Sequence, residues 1–211
     1  MTSLSVEQTC SEIHRLLDSH PVFKDPKQIP HDNGLYFFYE IREISQHAPN
    51  GRIVRIGNHP RSDNRLKGRL RDHYSTGKNS SVFRKFIGGA LMRKEDTTNQ
   101  CLFHWEKQDE PTCYKCKPLE RNVSRNLRNN FWFRSIEIRD RELRNLLEKK
   151  LIATISSCRI CKPSETWLGF FTYSENVKKS GLWNSDYVLD DRYILDMKEL
   201  EFLKELTNTS E

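Results

Sequence analysis

Apolar residues recur along this chain with two periods, and the switches between them predict its elements. Over residues 5–19 they fall at helical spacing, with Ser3 or Ser5 placed to cap a short amphipathic helix. Three prolines within residues 20–33 mark a linker or docking loop. Residues 35–44 are rich in aromatics and alternate in part. Residues 52–56 form a second apolar run, and the turn pair Asn50-Gly51 lies just before it, so residues 35–56 read as a β-hairpin. Residues 65–74 read as a helix with Leu66 and Leu70 on one edge and Arg65, Arg69 and His73 on another. Residues 82–93 read as a helix weakened by Gly88-Gly89, and residues 95–130 as irregular, polar and basic. A third strand is expected over 131–138, the clearest helix over 140–156, a further strand within 182–195, and a terminal helix over 196–207.

Composition narrows the class. A chain of 211 residues with 36% hydrophobic and 30% charged positions is long enough for one core and polar enough for a soluble protein. No apolar run approaches the length of a membrane helix. The N-terminus shows no basic region followed by an apolar stretch, so no secretory leader is expected and the cytoplasm is the expected compartment. The charge is unevenly placed. Residues 52–94 hold 12 Lys/Arg against Asp63 and Asp72, so the remainder is net acidic although the whole chain is +6. A concentrated basic segment suits a polyanion, because each phosphate neutralised releases counterions. Arg55, Arg65, Lys67, Arg71, Arg84 and Lys85 are its expected nucleic-acid contacts; the plainer reading is a solvated basic face.

One carboxylate stands out within the clearest helix. Leu143, Leu146, Leu147, Leu151, Ile152 and Ile155 define its buried arc, and Glu148 projects between Ile152 and Ile155, whereas Glu142 projects to the polar side. A carboxylate facing a core needs an arginine partner or a metal ion.

Four short motifs share an order with a known family. Gly34-Leu35-Tyr36 and Arg55-Ile56-Gly57 lie on the two hairpin strands, Arg69 and His73 follow on a helix, and Glu148 comes later. This order resembles the GIY-YIG nucleases. The segments Val54-Arg55-Ile56-Gly57, Gly68-Arg69-Leu70-Arg71-Asp72-His73, Trp167-Leu168-Gly169 and Ser180-Gly181-Leu182-Trp183-Asn184 are similar to a small stand-alone branch of that family. The resemblance implies that Glu148 binds one divalent cation, for which magnesium suits a hard carboxylate. It implies that Tyr36 activates or orients the attacking water, and that Arg69 and His73 stabilise phosphate charge and help proton transfer. The chain departs from the family pattern in carrying Arg55 for the second tyrosine and Asn58 for a common lysine, so Tyr36 or His73 must be the base. The asparagine often found about a dozen residues after the glutamate is missing, and Asn184 is the candidate to replace its amide.

Six cysteines include one internal echo. Cys113-x-x-Cys116 and Cys158-x-x-Cys161 are each followed by Lys-Pro, and paired knuckles of this kind predict a closed, structural zinc site with four thiolates. This clip would staple the 95–130 segment to the end of the Glu148 helix, leaving Cys10 and Cys101 unpaired and His104 a weak alternative ligand. Disulfides are disfavoured in a reducing compartment. The segment also brings Lys115, Lys117, Arg121, Arg125 and Arg128, which could contact DNA.

The expected fold is α/β, a small, mainly antiparallel sheet flanked by helices with a zinc-stapled insertion. Residues 1–30 form an N-terminal helix and linker, 31–195 the nuclease-like domain including the 95–130 insertion, and 196–211 a C-terminal helix and tail. The expected function is a magnesium-dependent DNA endonuclease, of restriction, repair or mobile-element type. A homodimer is what symmetric cutting of both strands would ask for. The competing readings are a non-catalytic, zinc-stabilised nucleic-acid-binding module and a zinc-stabilised interaction protein.

Overall fold

The computed structural model describes residues 4–59, 62–75, 77–98, 100–107 and 114–208. Its centre is a three-stranded antiparallel sheet in the order β2-β1-β3, with β1 at Gly34–Glu40, β2 at Ile53–Gly57 and β3 at Phe131–Glu137. All seven residues of β1 are buried, which is why its sequence reads as a nearly unbroken apolar run. Leu35, Phe37 and Tyr39 face one core; Tyr36 and Phe38 face another. Helices therefore cover both sides.

Under the Leu35 face lie α1 (Val6–Asp18), α6 (Arg141–Ser157) and α8 (Met197–Asn208). Cys10, Ile13, His14 and Leu17 form the buried stripe of α1, at the i, i+3, i+4, i+7 spacing of one helix face. Ser5 closes its start in a reciprocal capping box with Gln8. On the Tyr36 face pack α2 (Leu66–Tyr74), α3 (Val82–Glu95), α4 (Cys101–Glu106) and α5 (Lys117–Asn130). The last helix of the set, α7, is one short stretch at Glu175–Ser180.

Two expectations are corrected here. Residues 95–130 are not irregular: α4 and α5 occupy most of the described part, and α5 buries Glu120, Val123 and Leu127 along one face. The pattern was hidden because one of those three buried positions is an acid, whose carboxylate pairs with buried Arg84 at 2.7 Å. Residues 182–195 hold no strand; they run as turns and a 3-10 turn at Asp191–Tyr193. Their backbone is held instead by α6, whose Ser156 and Thr154 hydroxyls accept from the Leu189 and Leu195 amides.

Gly88 has a packing role. A Cβ there would meet the Trp105 ring at 2.2 Å, so the glycine lets α4 lie against α3 and lets the indole donate to the Lys85 carbonyl.

Glu40, at the end of β1, accepts from both the Trp167 and Trp183 indoles, at 3.0 and 3.1 Å. Burial dominates over these two donors and pushes its carboxyl up to about 7. A folded-state value above the unfolded one means that this contribution to stability is complete below the ordinary carboxylate range and is lost as pH rises through about 7. Glu40→Gln keeps an acceptor for both indoles and removes the titration. Urea unfolding at pH 5 and pH 8 should show the wild type losing about 3 kcal/mol more than the variant over that interval. Equal losses would mean that Glu40 is ionised throughout.

Candidate active site

The site is assembled from six stretches of chain around a cavity of about 760 Å³, one of them Asn79, Ser80, Ser81 and Val82. The sheet supplies Tyr36 from β1 and Arg55 from β2; the strand register sets Tyr36 opposite Gly57. A Cβ at Gly57 would lie 2.3 Å from the Tyr36 hydroxyl oxygen, so the motif glycine is what makes room for the phenol. Gly57→Ala should force that ring aside and lower the melting temperature, with the fold retained in circular dichroism; an unaltered melting temperature would show that the ring has room to spare.

Helix α2 contributes Arg69, and behind the phenol it contributes His73. Leu66, Leu70 and Tyr74 bury one side of α2 and so orient its other edge. The Tyr36 hydroxyl lies 2.9 Å from His73 Nε2, and His73 Nδ1 lies 2.7 Å from Ser81 Oγ. Burial first, then the charges of Arg69, Arg55 and Arg84, holds the imidazole well below its ordinary range and therefore neutral.

Helix α6 contributes Asn145, Glu148 and Lys149 to the cavity. Glu148 Oε1 accepts from the Asn58 amide at 3.1 Å, and the Asn58 side chain donates to Asn145 Oδ1 at 2.9 Å. Burial pushes the Glu148 carboxyl up to about 7, against the lowering influence of Arg55, the Asn58 N–H and Arg69. The Asn58 Oδ1 is buried without a hydrogen-bond partner, as is Arg55 Nε. The Glu148 carboxylate, in a cavity that Asn58 and Asn145 also line, offers the hard oxygen donor that suits magnesium or a similar cation.

The segment after α7 completes the wall. Asn184 accepts from the Ile56 amide and donates to the Ile56 carbonyl, pinning that segment to β2, and Ser185, Asp186 and Tyr187 also line the cavity. Arg55 donates to the Trp183 carbonyl, and its guanidinium lies 5.0 Å from the centre of the Phe83 ring.

Residues 6–211 match the model of the GIY-YIG domain. The chain belongs to the GIY-YIG family. No curated protein and no solved structure gives a significant match. A GIY-YIG domain implies a nuclease-type function in general terms.

Within this GIY-YIG fold, Tyr36, Arg69 and Glu148 line one cavity, with His73 directly behind Tyr36. Arg55, which replaces the second tyrosine of the family pattern, lines the same cavity, as does Arg65. The remaining expected nucleic-acid contacts divide. Arg71 is exposed, and Lys67 forms an ion pair with Asp32 at 3.1 Å. Arg84 and Lys85 are buried, so their expected role as surface contacts is corrected. Arg84 donates to Glu120, the His73 carbonyl and Ser124, and acts as a strut between α3, α2 and α5. Sequence reasoning missed Asn145 and Lys149; the first follows from Glu148, since it sits three residues before it on the same helix edge.

The four-thiolate clip is also corrected. Cys116 is buried in the core on the Tyr36 side of the sheet, whereas Cys158 and Cys161 belong to the core on the other side. The sheet stands between Cys116 and the Cys158–Cys161 knuckle. Cys113 lies outside the described residues. Among the described residues, Cys161 instead meets Cys10, His14 and His47, whose ligand atoms all lie within 4.8 Å of one another. Cys10, expected to stand alone, is therefore part of a cluster.

Proposed function

We propose that this chain is a DNA endonuclease that hydrolyses phosphodiester bonds with the help of a magnesium ion at Glu148. The observation that carries this reading is the convergence, in one cavity, of a phenol backed by a neutral imidazole, two arginines and a half-buried carboxylate. Each belongs to a different part of phosphodiester hydrolysis.

Glu148 would hold the cation, with the Asn58 side-chain amide oxygen as the further candidate donor. Once bound, it supplies positive charge beside the scissile phosphate. Arg55 and Arg69 meet phosphate oxygens with planar donor forks and stabilise the charge that builds as water attacks phosphorus. Tyr36 orients that water. Ser81 Oγ already accepts from the Arg84 amide, and it can also accept from His73 Nδ1–H. That tautomer leaves Nε2 bare to take the phenol proton while the phenol oxygen takes one from water. A phosphate seated on Arg55 and Arg69 offsets the cationic charge that otherwise opposes protonation of His73.

A DNA surface extends beyond the cavity. Lys117, Arg121, Arg125 and Arg128 are exposed on α5, and their spacing of four, four and three keeps them along one side of that helix. The test is incubation of the full chain with supercoiled plasmid, with and without added magnesium. Nicked or linear product only with magnesium is the expected result. Tight, salt-sensitive binding without product on any DNA would make the chain a binding module on a nuclease fold.

A further inference from the structure

We infer that Cys10, His14, His47 and Cys161 form a zinc site that clamps the N-terminal helix to the end of the Glu148 helix. The donors come from three separate segments. Cys10 and His14 sit four residues apart on the buried face of α1, His47 is on the loop between β1 and β2, and Cys161 belongs to the Cys158-x-x-Cys161 knuckle that follows α6. None of these segments needs the others for its own secondary structure. Yet the fold gathers two thiols and two imidazoles into one spot, with Cys10 and His14 almost completely buried and Cys161 nearly so.

The four ligand atoms lie within 4.8 Å of one another, so a bound ion would draw the widest of them slightly inward to reach tetrahedral spacing. Zinc–sulfur and zinc–nitrogen bonds of about 2.3 and 2.0 Å place neighbouring ligand atoms roughly 3.3–3.8 Å apart. His14 Nε2 lies 3.3 Å from Cys161 Sγ. Cys158 Sγ lies 3.7 Å from His47 Nε2 and so borders the site as a further sulfur. Ser45 Oγ donates to Cys161 Sγ at 3.7 Å, an outer contact of the kind that orients a ligating thiolate. Soft thiolates with imidazoles select zinc over magnesium, and a closed protein ligand set leaves no position for substrate. The role is structural.

This site is distinct from the proposed magnesium site, and its test does not depend on cleavage. The full chain, purified without chelators from zinc-supplemented medium, should contain about one zinc per chain by elemental analysis. Replacement by cobalt should give thiolate-to-metal charge-transfer absorption weaker than that of a four-thiolate centre, a measurement that needs no variant. Cys10→Ser/Cys161→Ser should lose the metal, and Cys116→Ser should keep it. Wild type that neither carries nor takes up zinc overturns the proposal. So does a disulfide among Cys10, Cys158 and Cys161 in the native protein, or metal lost in Cys116→Ser and retained in the double variant.

Discussion

Glu148→Gln should slow plasmid nicking by about 10³-fold, the upper end of what removing a single electrostatic stabiliser costs. Glutamine keeps an acceptor for the Asn58 amide, so the backbone of β2 and the N-terminal half of α6 stay joined. It removes the charge that a cation needs. Burial opposes that charge in the free protein, so the variant should fold as well as the wild type or better. DNA affinity should be equal or higher, because a negative group leaves a cavity that takes phosphate. Single-turnover nicking with saturating protein, alongside binding measured across a salt series, separates the two effects. A rate within about tenfold of wild type would show that Glu148 does not hold the ion.

The second large effect is expected at Tyr36. Tyr36→Phe should slow cleavage by about 10²–10³-fold, within the range for loss of a group that moves or orients a proton. It also leaves His73 Nε2 buried without a donor, which costs about 1–3 kcal/mol of stability, so rates belong at a temperature where both proteins are folded. His73→Ala should cost a similar factor in rate. The informative measurement is the double variant. If the phenol and the imidazole act as a relay, Tyr36→Phe/His73→Ala should be no slower than the worse single variant, because either change already breaks the unit. Multiplicative losses would assign the two residues independent roles and sink the relay.

How far the sequence could be read depended on whether a residue's role is set locally. The hairpin, the strand Phe131–Glu137 and the helix Arg141–Ser157 follow from periodicity, and so does the placement of Glu148 toward the protein interior. Their patterns are local, and the structure keeps them, except that Leu146, read as part of the buried arc, is exposed. The basic segment was harder. Arg69 and Arg84 look alike in a charge count, but Arg69 lines the cavity while Arg84 is enclosed by Glu120, a partner 36 residues away. The cysteines were misleading for the same reason. Two knuckles with the same Lys-Pro ending suggest a pair, yet the sheet puts Cys116 and Cys161 in opposite cores. The residues that do meet Cys161 carried little visible signal: Cys10 and His14 sit at ordinary core spacing in an amphipathic helix, and His47 lies alone in a loop.

The position of β1 has a consequence for how this protein is made. It is the middle strand, pairing with β2 on one side and β3 on the other. The hairpin partner follows after a loop of twelve residues, but β3 starts about 90 residues beyond the end of β1. At a synthesis rate of 5–20 residues per second, the nascent chain waits roughly 5–20 s before that partner emerges from the ribosome. During that interval Leu35-Tyr36-Phe37-Phe38-Tyr39, an aromatic, uncharged and proline-free stretch, has one open hydrogen-bonding edge. Slower growth temperatures and holding chaperones should therefore raise the yield of folded chain.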